Sequence, residues 1–266
     1  MTEADADDGR PAWPLWTIPV ALVGAVIVGS VGQLLVLLVA GVSVTDKNPP
    51  AGVTVGGTLA LDAGLVGCAV VFAGLAGRPR PWQFGLRPAP LGRALKWFGI
   101  VAVGYFVASE IYASLISHPP KDQLQGLSAS SPRASIIAFA LLVCVFAPTA
   151  EELFFRGFVF TALRRRVGVW VAAVVSALLF GAVHAGGGTP AILLPLLAIL
   201  GFGLAMLYWR TGSLLPGIAL HSVNNAIAFG ALVNWGWQVV PLALAALLAL
   251  AALLGPLSAR APLVAT

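Results

Sequence analysis

Two adjacent glutamates and an arginine interrupt a long apolar stretch in the middle of the chain. Glu151 and Glu152 are followed by Arg156, and the flanking residues, 134–150 and 157–163, are mostly apolar. Charged side chains are costly inside a membrane, where they usually face the protein interior and have a function. Glu152 and Arg156 are four residues apart, so on a helix they share one face and can pair. Glu151 points about 100° away from Glu152 and is left for another partner.

Two histidines and an asparagine occur later in the chain within apolar stretches of their own. His184 follows Phe180 by four residues, and Asn225 follows His221 by four, so each pair shares a helix face. At 1.5 Å of rise per residue, Glu151, His184 and His221 lie roughly 20, 27 and 16 Å from the basic residues that end or precede their helices. These depths overlap, and tilted helices can therefore bring the three side chains together.

A buried carboxylate with imidazole and carboxamide groups is typical of a site that activates water for hydrolysis. Burial disfavours the charged form of a carboxylate and makes it a stronger base. Glu151 can then take a proton from a water that His184 also holds, while His221 and Asn225 donate to the oxyanion. Two His and one Glu are also the composition of a catalytic zinc site, but the helical His-Glu-x-x-His spacing is absent.

The composition places these residues in a membrane. The chain is 59% hydrophobic and 9% charged, with a mean hydropathy of +0.95, whereas about a quarter of the residues of a soluble domain are charged. The net charge of +5 falls mainly in short connecting loops. It therefore indicates membrane orientation and does not indicate nucleic-acid binding.

Apolar runs of about 18 residues or more are candidate membrane-spanning helices. The runs predict eight spans, at 16–44, 53–76, 97–117, 134–163, 169–184, 192–209, 216–233 and 239–257. The fourth is expected to continue through the charged hexapeptide to Leu163 and to end at Arg164–Arg166. We therefore predict an all-α, polytopic helical bundle of about eight spans. The basic loops then share one side, which places both termini in the cytoplasm, in a cell membrane that we expect to be bacterial.

The same pattern divides the chain into a core and its surroundings. We predict a cytoplasmic N-terminal tail at 1–15, accessory spans one to three with a basic cytoplasmic loop at 16–133, a catalytic core of spans four to seven at 134–233, and a last span with a short cytoplasmic tail at 234–266. The first segment has no basic region ahead of a short apolar core, so we do not expect a cleaved signal peptide.

Three motifs resemble, in order, those of the CPBP family of intramembrane proteases. This family includes the type II CAAX prenyl endopeptidases and the bacterial bacteriocin-processing or immunity proteins. The motifs are Glu151-Glu152-x-x-x-Arg156, Phe180-x-x-x-His184 and His221-x-x-x-Asn225. The similarity covers roughly residues 148–229, and Trp82–Arg87 is similar to a short segment that such proteins often carry upstream.

The resemblance implies an endopeptidase that acts within the bilayer. The roles it implies are general base for Glu151, water-holding for His184, oxyanion stabilisation for His221 and Asn225, and support for Glu152 and Arg156. Members of the family have been labelled both metalloproteases and metal-independent glutamate proteases. We expect no cofactor, with a divalent metal such as zinc as the alternative. The expected partners are the lipid bilayer and a peptide or membrane-protein substrate, with or without a lipid group.

The same residues are also compatible with a second class of function. A transporter or a bacteriocin-immunity scaffold could use the same polar cluster without hydrolysis. Asp62 and Glu110 are single acids in the second and third spans. They would favour transport if they lined a polar path, but we expect each to bond a neighbouring helix instead. The joint occurrence of a base, a water-holding imidazole and oxyanion donors favours hydrolysis.

Overall fold

The chain folds into long helices. The computed structural model describes residues 13–46, 49–116, 132–186 and 189–259, and these contain helices and no strand. The long helices are α1 (Thr17–Ala40), α2 (Ala51–Gly74), α3 (Leu91–Ser114), α4 (Arg133–Val167), α5 (Val169–Val183), α6 (Leu194–Thr211), α7 (Leu215–Leu232) and α8 (Val239–Ser258). The predicted all-α polytopic fold is confirmed. Most of the predicted N-terminal tail, and the predicted C-terminal tail from Arg260 onward, lie outside the described residues.

Six of these helices have the length and apolar character needed to cross a membrane. They are α1, α2, α3, α4, α6 with its preceding turn, and α8. α5 has 15 residues, about 22 Å of helix, and is shorter than a hydrocarbon core of about 30 Å. α7 has 18 residues, but its histidine and two asparagines lower its hydropathy. The eight predicted spans thus correspond to six full-length apolar helices and two, α5 and α7, that are shorter or more polar.

α4 is the predicted long helix, and it ends later than expected. It runs without a break to Val167, so Arg164–Arg166 form its last turn rather than following it. Basic side chains are favourable at a helix C-terminus, and their long apolar stems let the charged ends reach the membrane surface. Gly168, with φ of 79°, then ends the helix.

The hydrogen-bonding pattern of α4 changes four times along its length. Regular α-helix covers Arg133–Leu141, Ala147–Glu152 and Thr161–Val167, and π-helix covers Leu142–Phe146 and Leu153–Phe160. π-Helical turns are rare and frequently occur at functional sites. The two glutamates close the short regular segment between the π-helical segments.

α1 and α2 form an N-terminal hairpin, and α2 packs against both α1 and α4. Small residues let α1 and α2 approach closely: a Cβ at Gly64 would lie 2.8 Å from the Ala25 carbonyl oxygen, and one at Gly29 would lie 3.0 Å from the Leu61 Cα. The other side of α2 packs against α4, including the Ala147–Glu152 segment. The N-terminal hairpin is therefore in contact with the part of α4 that carries the two glutamates.

The segment after α2 packs against the C-terminal half of α4. Phe84, in the 3₁₀ turn Pro81–Phe84, stacks on Trp13 with ring centroids 5.0 Å apart. The Phe84 carbonyl accepts a hydrogen bond of 3.1 Å from the Tyr208 hydroxyl. A Cβ on Gly157 would come within 2.9 Å of the same carbonyl oxygen. Only glycine fits there, which lets this segment lie directly on the backbone of α4.

Candidate active site

Glu152 and Arg156 form a fully buried ion pair on α4. The Arg156 Nη1 lies 2.6 Å from the Glu152 Oε1, and neither side chain has any exposed surface. The Arg156 Nη2 also donates to the Gly201 carbonyl at 3.2 Å. The guanidinium lies 4.4 Å from the centroid of the Phe180 ring, close enough for a cation–π interaction. The pair expected from the spacing is therefore present, and α5 and α6 help to hold it.

His221 on α7 lies between the two glutamates. Its Nδ1 is 3.2 Å from the Glu152 Oε1, and its Nε2 is 3.6 Å from the Glu151 Oε2. The Glu152 carboxylate, paired with Arg156, can only accept a hydrogen bond, so Nδ1 is the donor. In the neutral imidazole, Nε2 is then an acceptor, and it donates only when the ring is protonated.

His184 approaches Glu151 from the end of α5. Its Nδ1 donates to the Phe180 carbonyl at 2.8 Å, because a carbonyl oxygen can only accept. This leaves Nε2 of the neutral ring as an acceptor, 3.9 Å from the Glu151 Oε1. The side chains of His184 and Glu151 are 26% and 16% exposed, whereas that of Glu152 is fully buried. Of the two glutamates, Glu151 is the one that a ligand can reach.

We expected the Asn225 side chain to face Glu151, but its hydrogen bonds are with other groups. Its Nδ2 donates to the Val143 carbonyl at 2.8 Å, and its Oδ1 accepts from the Asn224 Nδ2 at 3.2 Å. No hydrogen bond between the Asn225 side chain and Glu151 or His184 is present among the described residues. Asn225 thus shares α7 with His221, while its side chain is bonded to the backbone of α4.

Pro148 explains why α7 bonds to this part of α4. Proline has no N–H, so Pro148 cannot donate to Cys144, as an α-helix requires, or to Val143, as a π-helix requires. These two carbonyls are the ones that α7 satisfies: Ser222 Oγ donates to the Cys144 carbonyl at 2.5 Å, and Asn225 bonds to that of Val143. In a membrane, such freed carbonyls need partners from neighbouring helices. The proline and the two polar side chains together fix α7 against α4.

Asp62 on α2 is a further acid near this group. It is 6% exposed, and its Oδ2 has no hydrogen-bond partner within the described part of the chain. α2 packs against the Ala147–Glu152 segment of α4, which carries Glu151. Glu110, the other single acid of the N-terminal spans, is exposed in the last part of α3. Sequence reasoning had singled out Asp62 as an acid within a span but had not placed it near Glu151, because nothing in the sequence indicates which face of α2 meets α4.

Across residues 13–46, 49–116, 132–186 and 189–259, no group of three or more His, Cys, Asp or Glu side chains is arranged to hold a metal ion. Glu151 nevertheless has both His184 and His221 as neighbours, with Glu–His distances of 3.9 and 3.6 Å. Glu152 is bound to Arg156. The group that remains available for chemistry is one carboxylate between two imidazoles.

The segment that carries these side chains matches a known protein family. Residues 133–227 match the family model described as type II CAAX prenyl endopeptidase Rce1-like. The match begins at the first residue of α4, ends within α7, and contains all six of the predicted site residues. No curated protein and no solved structure matches the chain. The resemblance carried by the three motifs is thus confirmed: residues 133–227 are similar to the type II CAAX prenyl endopeptidases of the CPBP/CAAX protease family.

Proposed function

We propose that the protein is a glutamate-type intramembrane endopeptidase in which Glu151 activates a water molecule for attack on a peptide bond. The observation that carries this proposal is the position of the Glu151 carboxylate. Its Oε1 lies 3.9 Å from the His184 Nε2 and its Oε2 lies 3.6 Å from the His221 Nε2. The adjacent Glu152 is neutralised by Arg156, so Glu151 is the carboxylate left to act as a base.

The distance between Glu151 and His184 suits a bridging water. A separation of 3.9 Å is too long for a direct hydrogen bond. Both atoms are acceptors when His184 donates through Nδ1, so one water can donate a hydrogen to each of them. Its oxygen lone pair is then free to attack the peptide carbonyl carbon while Glu151 takes the proton, and Glu151 then gives this proton to the amine as the C–N bond breaks. His184 orients the water in this mechanism.

His221 suits the role of oxyanion donor in its protonated form. Glu152 accepts the Nδ1 hydrogen at 3.2 Å and holds the ring with Nε2 towards Glu151. The protonated Nε2 then donates to the developing oxyanion. One N–H of Asn225 is bonded to Val143, so Asn225 contributes through the second one. His221 is therefore the main donor in this proposal, and Asn225 the secondary one.

The surroundings of the site support a reaction that needs water within the membrane. α5, with 15 residues, is shorter than the hydrocarbon core and ends next to His184, which supports access of water to this end of the helix. We propose that the substrate is a peptide or a membrane-attached protein, with or without a lipid group. We also propose that both termini are cytoplasmic, in a bacterial cell membrane.

No cofactor enters this mechanism. If a zinc ion were used instead, Glu151, His184 and His221 are the side chains that would hold it, and its water would be the nucleophile. Incubation with a strong chelator separates the two mechanisms. The glutamate mechanism predicts unchanged hydrolysis after chelation, and loss of activity that zinc restores would favour the metal.

The proposal can be tested with purified protein and a peptide library read by mass spectrometry. The library should include peptides with and without a prenylated C-terminal cysteine. We expect cleavage by the wild type and none by Glu151→Gln or His184→Ala. Arg166→Ala, at an exposed position, is the matched control and should cleave normally. Equal product from the wild type and both site variants would rule out hydrolysis at this site.

A non-proteolytic carrier or immunity scaffold is the second candidate function. One observation favours it: Asp62 is a buried acid whose Oδ2 has no hydrogen-bond partner among the described residues, and proton-coupled carriers contain such acids. Proteoliposomes distinguish the candidates. Proton flux that requires Asp62, in protein that hydrolyses no peptide, would support the carrier.

A further inference from the structure

The start of α7 is bonded to a segment that lies far away in the chain. The N–H groups at the beginning of a helix have no partner within that helix. At the start of α7, the Leu214 N–H donates to the Gly85 carbonyl at 2.8 Å, and the Leu215 N–H donates to the Ser213 Oγ at 3.2 Å. Gly85 lies in the stretch Pro81–Arg87, which we call the 81–87 segment. A carbonyl of this segment therefore satisfies an N–H group at the start of α7.

Arg87 joins the 81–87 segment to the turn between α6 and α7. Its Nε donates to the Gly212 carbonyl at 2.8 Å, and its own carbonyl accepts a hydrogen bond of 2.5 Å from the buried Ser213 Oγ. Gly212 has φ of 68°, a conformation that favours glycine, and a Cβ there would lie 3.0 Å from the Arg87 Nη2. Arg87 thus holds the turn through both its side chain and its backbone, and glycine lets the guanidinium approach.

The middle of the 81–87 segment is fixed to α6 and, through it, to α4. Gly85 has φ of 98°, and a Cβ at this position would overlap the Tyr208 ring. The Tyr208 hydroxyl, which donates to the Phe84 carbonyl, also lies 3.3 Å from the Thr161 Oγ1 on α4. The segment therefore provides one attachment point for α4, α6 and the start of α7.

His221 lies on the face of α7 that this attachment holds. It follows Leu214 by seven residues, nearly two helical turns, so the two side chains point to the same side, about 10 Å apart along the axis. A Cβ on Gly157 of α4 would lie 3.4 Å from the Leu214 Cδ1, so that side faces α4. The imidazole of His221 lies 3.2 Å from Glu152 and 3.6 Å from Glu151. A displacement of the start of α7 would therefore change these distances.

α7 has a second attachment on the other side of His221. Ser222 and Asn225, which follow His221 in the chain, donate to carbonyls of α4. A helix that is held at one place can still tilt about it, whereas a helix that is held on both sides of a residue keeps that residue in place. The bonds of Arg87 supply the attachment on the N-terminal side.

We propose that Arg87 is a positioning residue: by bonding to Gly212 and Ser213 it fixes the start of α7, and so holds His221 where its Nε2 can donate to the oxyanion. This inference rests on the proposed role of His221. It extends the residues that determine the rate of hydrolysis to a segment outside 133–227. A misplacement of about 1 Å can lower a catalysed rate about 10²-fold, so Arg87 can affect the rate without touching the substrate.

NMR of labelled histidine in the purified protein tests the inference without requiring activity. The chain has three histidines, so the signals of His221 and His184 can be identified from the spectra of His221→Ala and His184→Ala. Arg87→Ala should displace the His221 signal more than the His184 signal, because Arg87 acts on the start of α7. Arg93→Ala removes an exposed arginine of α3 and, as the matched control, should leave both in place. An unmoved His221 signal in folded Arg87→Ala, or equal displacement of both signals, would overturn the inference.

Kinetics separate positioning from a general effect on stability. Arg87→Ala should lower kcat roughly 10- to 10²-fold and leave KM nearly unchanged, because His221 acts on charge that develops in the transition state. In a His221→Ala background the same substitution should have little further effect, since the group that Arg87 positions is gone. Equal fold-losses of kcat in the two backgrounds would contradict the inference.

Two further outcomes are decided by the same measurements. If Arg87→Ala does not fold, Ser213→Ala removes the bond to the Arg87 carbonyl, and a His221 signal at its wild-type position in that variant would overturn the inference. Absence of hydrolysis in the wild type, with the NMR pattern as expected, would contradict the proposed function and leave the link between Arg87 and His221 standing.

Discussion

Glu151 and Glu152 are neighbours in sequence but differ in surroundings. Glu152 is fully buried against Arg156, and Glu151 is 16% exposed between two imidazoles. Side chains of consecutive helical residues diverge by about 100°, so the spacing alone predicts that they face different partners. The ion pair could be predicted because it joins positions four apart on one helix. The contacts of Arg156 with Gly201 and Phe180 could not, because they depend on how α5 and α6 pack.

Removal of Arg156 should affect stability most strongly. Arg156→Ala leaves the Glu152 carboxylate buried without its counter-charge, and breaking such a pair costs roughly 3–5 kcal/mol. Thermal or chemical unfolding in detergent measures the change. Arg166→Ala, at an exposed position, should change stability by less than about 0.5 kcal/mol. Similar decreases in the free energy of unfolding for both variants would mean that the buried ion pair does not stabilise the protein.

A side chain at Gly201 should lower the stability of the protein. A Cβ there would lie 3.2 Å from the Phe180 ring and 3.3 Å from the Arg156 Nη2. Gly201→Ala should therefore destabilise the protein by about 1–3 kcal/mol through overpacking and should reduce hydrolysis. Gly99→Ala on α3 is the matched control, since a Cβ at that position has nothing within 4 Å. The two variants should differ in melting temperature, and equal melting temperatures would contradict the packing argument.

α4 and α7 have complementary polar groups: side chains of α7 donate hydrogen bonds to backbone carbonyls of α4. Pro148 leaves two carbonyls without an N–H, and Ser222 and Asn225 bond to them. The sequence shows the proline, and it shows the polar residues of α7, but it does not connect them. Because 74 or more residues separate Pro148 from Ser222 and Asn225, the π-helical segment Leu142–Phe146 could not be predicted from local pattern.

A double-mutant cycle tests this match. Ser222→Ala in the wild type leaves the Cys144 carbonyl without a partner and should cost about 1 kcal/mol. In Pro148→Ala, the restored N–H can satisfy a freed carbonyl, so the same serine substitution should cost less. The difference between the two costs is the coupling energy. Additive effects would show that Ser222 does not compensate for the proline.

Across the described part of the molecule, hydropathy predicted the position of each long helix but not all of the helix ends. α3 starts at Leu91, six residues before the predicted 97, because Arg93 and Lys96 can lie in a helix while their charged ends reach the membrane surface. α5 and α7 were predicted as spans equal to the others. They are shorter or more polar, because they lead to or carry the histidines of the site. The two helices that depart from the long apolar pattern are thus the ones that lead to or carry these histidines.

The proposed orientation can be measured by cysteine labelling in intact cells. With Cys68 and Cys144 replaced by alanine, Ser43→Cys should react with a membrane-impermeant maleimide from outside. Arg166→Cys should react only after the cells are permeabilised, because the basic helix end faces the cytoplasm. Both positions are exposed. The reverse pattern would place the termini outside.

The central claim is that Glu151 is the base, and the most direct measurement is kcat/KM of Glu151→Gln on a cleaved peptide, with folding monitored by its melting temperature. The account predicts a loss of at least about 10²-fold, in the range expected for removal of a general base, with the melting temperature close to that of the wild type. Activity in Glu151→Gln within a few-fold of the wild type, with the fold intact, would contradict it.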